Sequence, residues 1–264
     1  MRRKLFAGKR ALVTGASSGL GADFARTLAE MGAHPILVAR RAERLESLAG
    51  EIAARHGVEV LARPADLSDE TARENLCRRL AEEGLAIDIL VNNAGLGVFG
   101  EFVRTPWEKQ RDLLRVDVEA VVHLTRLLLP GMLERREGYV LLVGSIGAFQ
   151  AAPAYSTYAA AKSFLQSFGE ALALELRSSG IRVSVLCPGP VRTEFFSVSG
   201  QELTSYQRLT MMEGPVVARA GLAGLAKGRP IVVPGLANRL GVLGTRVLPR
   251  MLAAKIAGLF MRNG

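Results

Sequence analysis

Residues 153–162 read PAYSTYAAAK and put two phenols and one amine within a single short stretch. On a helix, residues four apart share a face with about 6 Å of axial separation. Tyr158 and Lys162 have that spacing. An ammonium so close favours the phenolate, which predicts a Tyr158 pKa below the usual value of about 10. Tyr155 lies seven residues before Lys162, about 10 Å away along the axis, too far for the same effect. Pro153 suits a helix start just downstream. The chemistry on offer is proton transfer at an oxygen. Taken alone, the stretch equally describes two surface tyrosines and a solvated lysine.

A second stretch, TGASSGLG (14–21), has residue types suited to phosphate. Gly15 permits a sharp turn, Gly19 lets backbone approach a pyrophosphate, and Gly21 lets a helix pack on its strand. Ser17, Ser18 and Leu20 complete the turn, and the helix start offers N–H donors and a positive dipole end to the anion. The stretch follows a predicted strand and opens a predicted helix, the context such a turn requires. The alternative is a plain glycine turn. The second predicted strand ends in LVARR, with Ala39 followed by Arg40 and Arg41. A carboxylate at that tip would bond a ribose 2′-hydroxyl. Guanidinium groups instead suit a 2′-phosphate, which predicts NADP(H) over NAD(H). The alternative is an arginine facing solvent at a helix start. Asp66, with Leu67 beside it in ADLS, either reaches an adenine amino group or caps the next helix.

These residues need elements to position them. Apolar β-branched runs at 10–15, 34–40, 58–66, 87–95, 138–145, 181–189 and 229–235 alternate with helical patterns at 21–32, 41–57, 68–84, 106–135 and 154–179. Ser68, with Thr71 nearby, marks the third helix start. Pro130–Gly131 predicts a kink or break in the fourth. Strands this apolar, each followed by a helix, predict an α/β doubly wound parallel sheet of about seven strands, a Rossmann fold with helices on both faces. Residues 1–235 read as one domain with no linker. Residues 190–228 interrupt the alternation, and 236–264 form a C-terminal extension.

Apolar content near half and 28 glycines in 264 residues fit a globular chain with many tight turns. Cys77, Cys187 and the three histidines (34, 56, 123) lack metal-ligand spacing, so no metal is expected. Cys187 reads as a buried small apolar residue rather than a nucleophile. Low cysteine usage points to a reducing, cytoplasmic compartment. The start, MRRKLFAGKR, has too short an apolar stretch for a signal peptide, and no apolar run is long enough to span a membrane. A net charge of +9 favours anionic partners, but charge alone does not argue for nucleic acid, which is not expected.

TGASSGLG at 14–21, NNAG at 92–95, GS at 144–145, YAAAK at 158–162 and PGPVRT at 188–193 come in the order and at the spacing of one family. The chain resembles the short-chain dehydrogenase/reductase family in its single-domain form, over about residues 8–235. The resemblance implies Tyr158 as general acid in reduction and base in oxidation. It implies Lys162 as the group that holds the cofactor ribose and lowers the Tyr158 pKa, and Ser145 as hydrogen-bond donor to the substrate carbonyl. Asn92, Asn93, Ala94 and Gly95 would lie against the cofactor. Pro188, Gly189, Val191 and Thr193 would hold its carboxamide and phosphate end. The family usually has asparagine in a VNV setting of the middle helix, holding a water that links the lysine to solvent. This chain has Asp117 in RVDVEA. A carboxylate accepts hydrogen bonds from that water but cannot donate, and its charge stabilises the ammonium, so the relay is expected to survive with a shifted pH optimum. Homodimers or homotetramers through the helices near 106–135 and 154–179 are also implied.

Phe195, Phe196, Met211 and Met212 in the 190–228 stretch either suit an apolar, adaptable pocket, joined by Leu96, Ser145 and Tyr155, or pack under the loop. A lipophilic ketone, aldehyde or 3-oxoacyl carbonyl, or the corresponding alcohol, is the expected small-molecule substrate. In 236–264, Arg239, Arg246 and Arg250 share a helical face, Lys255 and Arg262 are seven apart, and Pro249 divides two helices. Such a segment lies on an anionic membrane, covers the pocket or forms a subunit interface. The leading expectation is an NADP(H)-dependent reductase or dehydrogenase. The rival is a dinucleotide-binding regulatory or membrane-surface protein with idle chemistry.

Overall fold

The computed structural model describes residues 5–261. Arg2, Arg3, Lys4 and Arg262 lie outside that range. Seven parallel strands form one sheet, β1 Arg10–Thr14, β2 His34–Ala39, β3 Leu61–Pro64, β4 Ile89–Asn92, β5 Gly138–Val143, β6 Ile181–Leu186 and β7 Ile231–Val232, in the order β3-β2-β1-β4-β5-β6-β7. The order reverses direction at β1 and β4, where an α/β sheet opens a crevice at its C-terminal edge. The strands are apolar throughout because both faces are covered. Ala11 and Val13 of β1 point to one core and Leu12 to the other. The same alternation holds along β2, β4 and β5, as the two-residue period of a strand requires.

One face packs against α1 Gly19–Glu30, α2 Ala42–His56 and α9 Gly214–Ala226, with Phe24, Leu28, Leu45 and Leu222 fully buried. The other packs against α3 Glu70–Glu82, α5 Ala120–Arg135 and α6 Ser156–Glu175 through Leu76, Leu124 and Leu165. Helix α9 fills the second half of the stretch expected to interrupt the alternation, so the true excursion is short. It carries only α7 Phe195–Ser199 and α8 Ser205–Thr210.

Local chemistry explains several boundaries. Helix α3 starts one residue later than expected, at Asp69, whose carboxylate accepts from Thr71 N–H at 2.9 Å. No break occurs at Pro130, since α5 runs through it to Arg135. The irregularity lies earlier. Between α4 Trp107–Leu114 and α5, residues Arg115–Glu119 form a π turn, in which Ala120 N–H reaches back to Arg115 C=O. The last residues form α10 Leu236–Val247 and α11 Arg250–Met261, divided before Pro249 as expected. No helix among the described residues is long and apolar enough to cross a membrane.

Candidate active site

The C-terminal ends of the strands open into one cavity of about 560 Å³. Gly15 and residues 17–21 line one end, with Arg40 and Arg41 after β2 and Asp66 and Leu67 after β3. Gly15 has a left-handed φ of +68°, and a Cβ there would stand 2.8 Å from Ala94 Cα. Gly21 has no room either, because its Cβ would meet Gly15 C=O at 2.2 Å. Ser18 caps α1 without a side-chain hydrogen bond, and the first turn contains no acid. The helix therefore presents free N–H donors and its positive end to the cavity. The turn is fixed from below. Thr14 Oγ1 accepts from Asn93 N–H and Ala94 N–H, both at 2.9 Å, and Asn93 Nδ2 donates to Thr14 C=O.

Arg40 is exposed at the rim. Arg41 donates to Ser17 Oγ at 2.9 Å and Ser18 Oγ at 3.0 Å. The tip of β2 carries no carboxylate, but one stands close in space. Glu194, from the far side of the cavity, stands 3.9 Å from Arg41 and 3.4 Å from Arg44. Asp66 accepts from Ser68 N–H at 3.0 Å and from its hydroxyl at 2.8 Å, while Asp69 caps the helix. Burial pushes the Asp66 carboxyl up, but the Ser68 hydrogen bonds and the Arg40 charge outweigh it and hold the pKa below the usual range.

The other end gathers Ser145, Tyr155, Tyr158 and Lys162, with Phe195 and Phe196 above them. Helix α6 carries Tyr158 and Lys162 and starts at Ser156, just after Pro153, with Tyr155 as its N-cap. Ser145 Oγ accepts from Gly147 N–H at 3.0 Å, and the Ser145 side chain bears on the Tyr158 phenol, favouring its ionised form. Lys162 Nζ lies 5.5 Å from the Tyr158 ring centre, donates to Val143 C=O at 3.0 Å, and stands 3.0 Å from Asp117 Oδ2. Asp117 Oδ1 accepts from Leu96 N–H at 2.7 Å. Gly95 closes over this pair, since a Cβ there would be 3.0 Å from Asp117 Oδ2. Tyr155 is a wall. Its hydroxyl donates to Gln201 Oε1 at 2.8 Å and contacts Ser199 Oγ at 3.2 Å, and burial pushes its pKa up to about 12.

The expected depression of Tyr158 does not occur in this cavity. Burial pushes the phenol up by more than the Lys162 charge and the Ser145 side chain bring it down, and Asp117 adds to the rise. Burial opposes the Lys162 charge, but Asp117 and Tyr158 outweigh it and raise its pKa, as expected for an ammonium facing a carboxylate. Burial raises Asp117 itself despite Lys162 and the Leu96 N–H. Cys187 is fully buried with its thiol pushed up to about 12, in keeping with a packing role.

Two expected residues stand behind the walls rather than in them. Asp117 does not line the cavity and acts on it through its contacts with Lys162 and Leu96 and through its charge on Tyr158. Asn92, the last residue of β4, is buried and donates to Thr125 Oγ1 at 3.0 Å, so it faces α5 rather than the cavity. Met211 and Met212 do not line the cavity, and Met212 pairs with Val191 and packs on the core. The sequence reading missed Gln201, Gln207 and Ala257, which do line it. Gln207 was within reach: Thr204 and Gln207 form a capping box at the start of α8, an S/T-x-x-E/Q signature. Elsewhere, Glu70, Glu74 and His123 bring ligand-type atoms within 4.8 Å of one another. The His123 Nδ1 lone pair already accepts from Arg73 Nε at 3.1 Å, which leaves the proton on Nε2 and no lone pair for a cation.

A Rossmann sheet with a phosphate-type turn at one end of its crevice and a Ser–Tyr–Lys cluster at the other defines a dinucleotide-type α/β oxidoreductase site. Residues 9–203 match the family model described as short chain dehydrogenase, and the chain belongs to that family. It is 38% identical over 183 residues to the very-long-chain 3-oxoacyl-CoA reductase of Aspergillus clavatus, a match covering 68% of this chain and 52% of that protein. The chain thus spans about half the length of that relative. Among solved structures, a short-chain dehydrogenase from Sphingobium yanoikuyae in complex with NADPH superposes with a TM-score of 0.82 at 33% identity, over 90% of this chain and 93% of that one. A 7β-hydroxysteroid dehydrogenase superposes with a TM-score of 0.86 at 26% identity, over 97% and 99%.

Proposed function

We propose that the protein transfers a hydride between NADP(H) and a lipophilic carbonyl or alcohol. The observation that carries this reading is the single cavity with an anion-binding glycine turn at one end and Ser145, Tyr158 and Lys162 at the other. The free N–H groups of α1 and the space left by Gly15, Gly19 and Gly21 fit a pyrophosphate. Arg40 and Arg41 fit a ribose 2′-phosphate, with Glu194 exchanging Arg41 for solvent as the phosphate arrives. The NADPH bound by the Sphingobium relative supports the same choice.

The dinucleotide, when bound, supplies or accepts the hydride. The chain does the rest. Ser145 hydrogen-bonds the carbonyl oxygen. In reduction, Tyr158 gives its phenolic proton to the oxygen that gains negative charge, and Lys162 stabilises the resulting phenolate. The reverse proton transfer serves oxidation. Asn93, Ala94, Gly95, Pro188, Gly189, Val191 and Thr193 form the walls against which the dinucleotide lies. Leu96, Tyr155, Phe195 and Phe196 give the reacting end its apolar character, which fits a ketone, aldehyde or 3-oxoacyl substrate. The reductase named in the Aspergillus relative supports the last of these.

Two further parts of the proposal concern the chain's surroundings. Exposed Leu114, Leu133, Phe164 and Leu174 on α4, α5 and α6 support a homodimer or homotetramer through these helices, testable by light scattering. The free cysteines, Cys77 and Cys187, support a cytoplasmic setting. The deciding assay follows NADPH and NADH consumption against ketones, aldehydes and 3-oxoacyl thioesters, with Tyr158→Phe as the blank. Turnover with NADPH that falls about 10²–10⁴-fold in the blank is expected. Preference for NADH overturns the arginine reading. Tight dinucleotide binding with no turnover on any substrate overturns the enzyme reading in favour of a binding protein with idle chemistry.

A further inference from the structure

Helix α10 is amphipathic in the inverted sense. At about 100° per residue, Leu236, Leu240, Leu243 and Val247 fall within an arc of about 60°. A surface helix ordinarily turns such a stripe inward. Here the four are 71%, 60%, 59% and 82% exposed, while Asn238 on the opposite side is buried. Its Nδ2 donates to Pro234 C=O at 2.9 Å. Helix α11 repeats the arrangement. Ala253, Ala254 and Ala257 are buried, and Met251, Leu252 and Leu259 are exposed. Leu248, at the bend between the two helices, is exposed as well.

Charge identifies what would cover this face. Residues 236–261 contain Arg239, Arg246, Arg250 and Lys255 and no acid. Arg239 and Arg246 flank the leucine stripe on one side, where they would stand at headgroup level with the leucines among acyl chains. A second copy docked segment to segment would need acids opposite those cations, and the segment has none. We propose that α10 and α11 form a docking face for an anionic lipid bilayer, on which the protein lies without crossing it.

The test uses the full chain, because removing the segment would also strip Asn238 from Gly189 and Ala257 from the cavity wall. Sedimentation with phosphatidylcholine vesicles, with and without phosphatidylglycerol, is compared for wild type, Leu240→Glu/Leu243→Glu and Arg246→Gln/Arg250→Gln. None of the four substituted side chains is buried, so melting temperatures should match. Wild type is expected to sediment with phosphatidylglycerol vesicles, less so at high salt. The leucine variant is expected to stay in solution, and each arginine removed to weaken binding about fivefold. Wild type that stays in solution with every vesicle overturns the proposal, as does a leucine variant that binds like wild type. If instead light scattering shows the leucine variant losing an oligomer that wild type forms, with no vesicle binding by either, the face joins copies of this chain and the lipid proposal fails.

Discussion

At the scale of single residues, the reacting end combines groups with opposite needs. In the proposed reaction Tyr158 must hold a proton to reduce and lose it to oxidise. Its raised pKa keeps the phenol protonated through neutral pH. Reduction is therefore expected to stay flat there and to fall only as pH rises through the raised value, while oxidation gains with pH. Asp117→Asn removes one contribution to that rise, so the alkaline limb of oxidation should move to lower pH. A shift the other way would show that Lys162 has lost its proton. The buried Asp117–Lys162 pair also bears on stability. Asp117→Leu alone leaves a buried ammonium without its counter-charge, a loss of about 3 kcal/mol, and adding Lys162→Met should restore much of it in denaturant titrations. The residues that were legible in the sequence are those whose chemistry needs only local spacing, Tyr158 with Lys162 and Gly15 with Gly19 and Gly21. Adjacent asparagines show where spacing stops helping. Asn92 and Asn93 point to opposite sides of the sheet edge, one to Thr125 and one to Thr14, and only the sheet's register decides which. Glu194 was beyond reach for the same reason, being 153 residues from Arg41 in sequence and close only in space.

At the scale of elements, the strands were legible because parallel strands covered on both faces must be apolar along their whole length. Their ends were not, since the last polar residues of each predicted run belong to the loops that build the cavity. The long middle helix shows a second kind of limit. Proline marks a helix break when the freed carbonyl stays unsatisfied, yet exposed Pro130 leaves its carbonyl partner open to water and α5 continues. The π turn at Arg115–Glu119 has no such punctuating residue. Pro130→Ala is expected to raise thermal stability, by about 1 kcal/mol or more, and an unchanged melting temperature would mean the bend it imposes is needed for packing. Gly21→Ala tests the opposite case. Its methyl would collide with Gly15 C=O, so stability should fall by about 1–3 kcal/mol and dinucleotide affinity, read by fluorescence, should fall with it.

At the scale of the whole molecule, the net charge of +9 and the arginines at the cavity rim create a field that draws in an anionic dinucleotide. Association rates for NADPH are expected to fall with ionic strength more steeply than for NADH, which has two fewer charges. Equal salt slopes would remove Arg40 and Arg41 from the account. The segment after β7 does more than extend the chain. Asn238 of α10 packs on Gly189, at the dinucleotide end of the cavity, and Ala257 of α11 forms part of its wall, with Gly258 resting on Pro153. One cap thus touches both halves of one cavity. A ligand that shifts the cap from either half would shift it for the other, and in that case the factor by which dinucleotide tightens substrate must equal the factor by which substrate tightens dinucleotide.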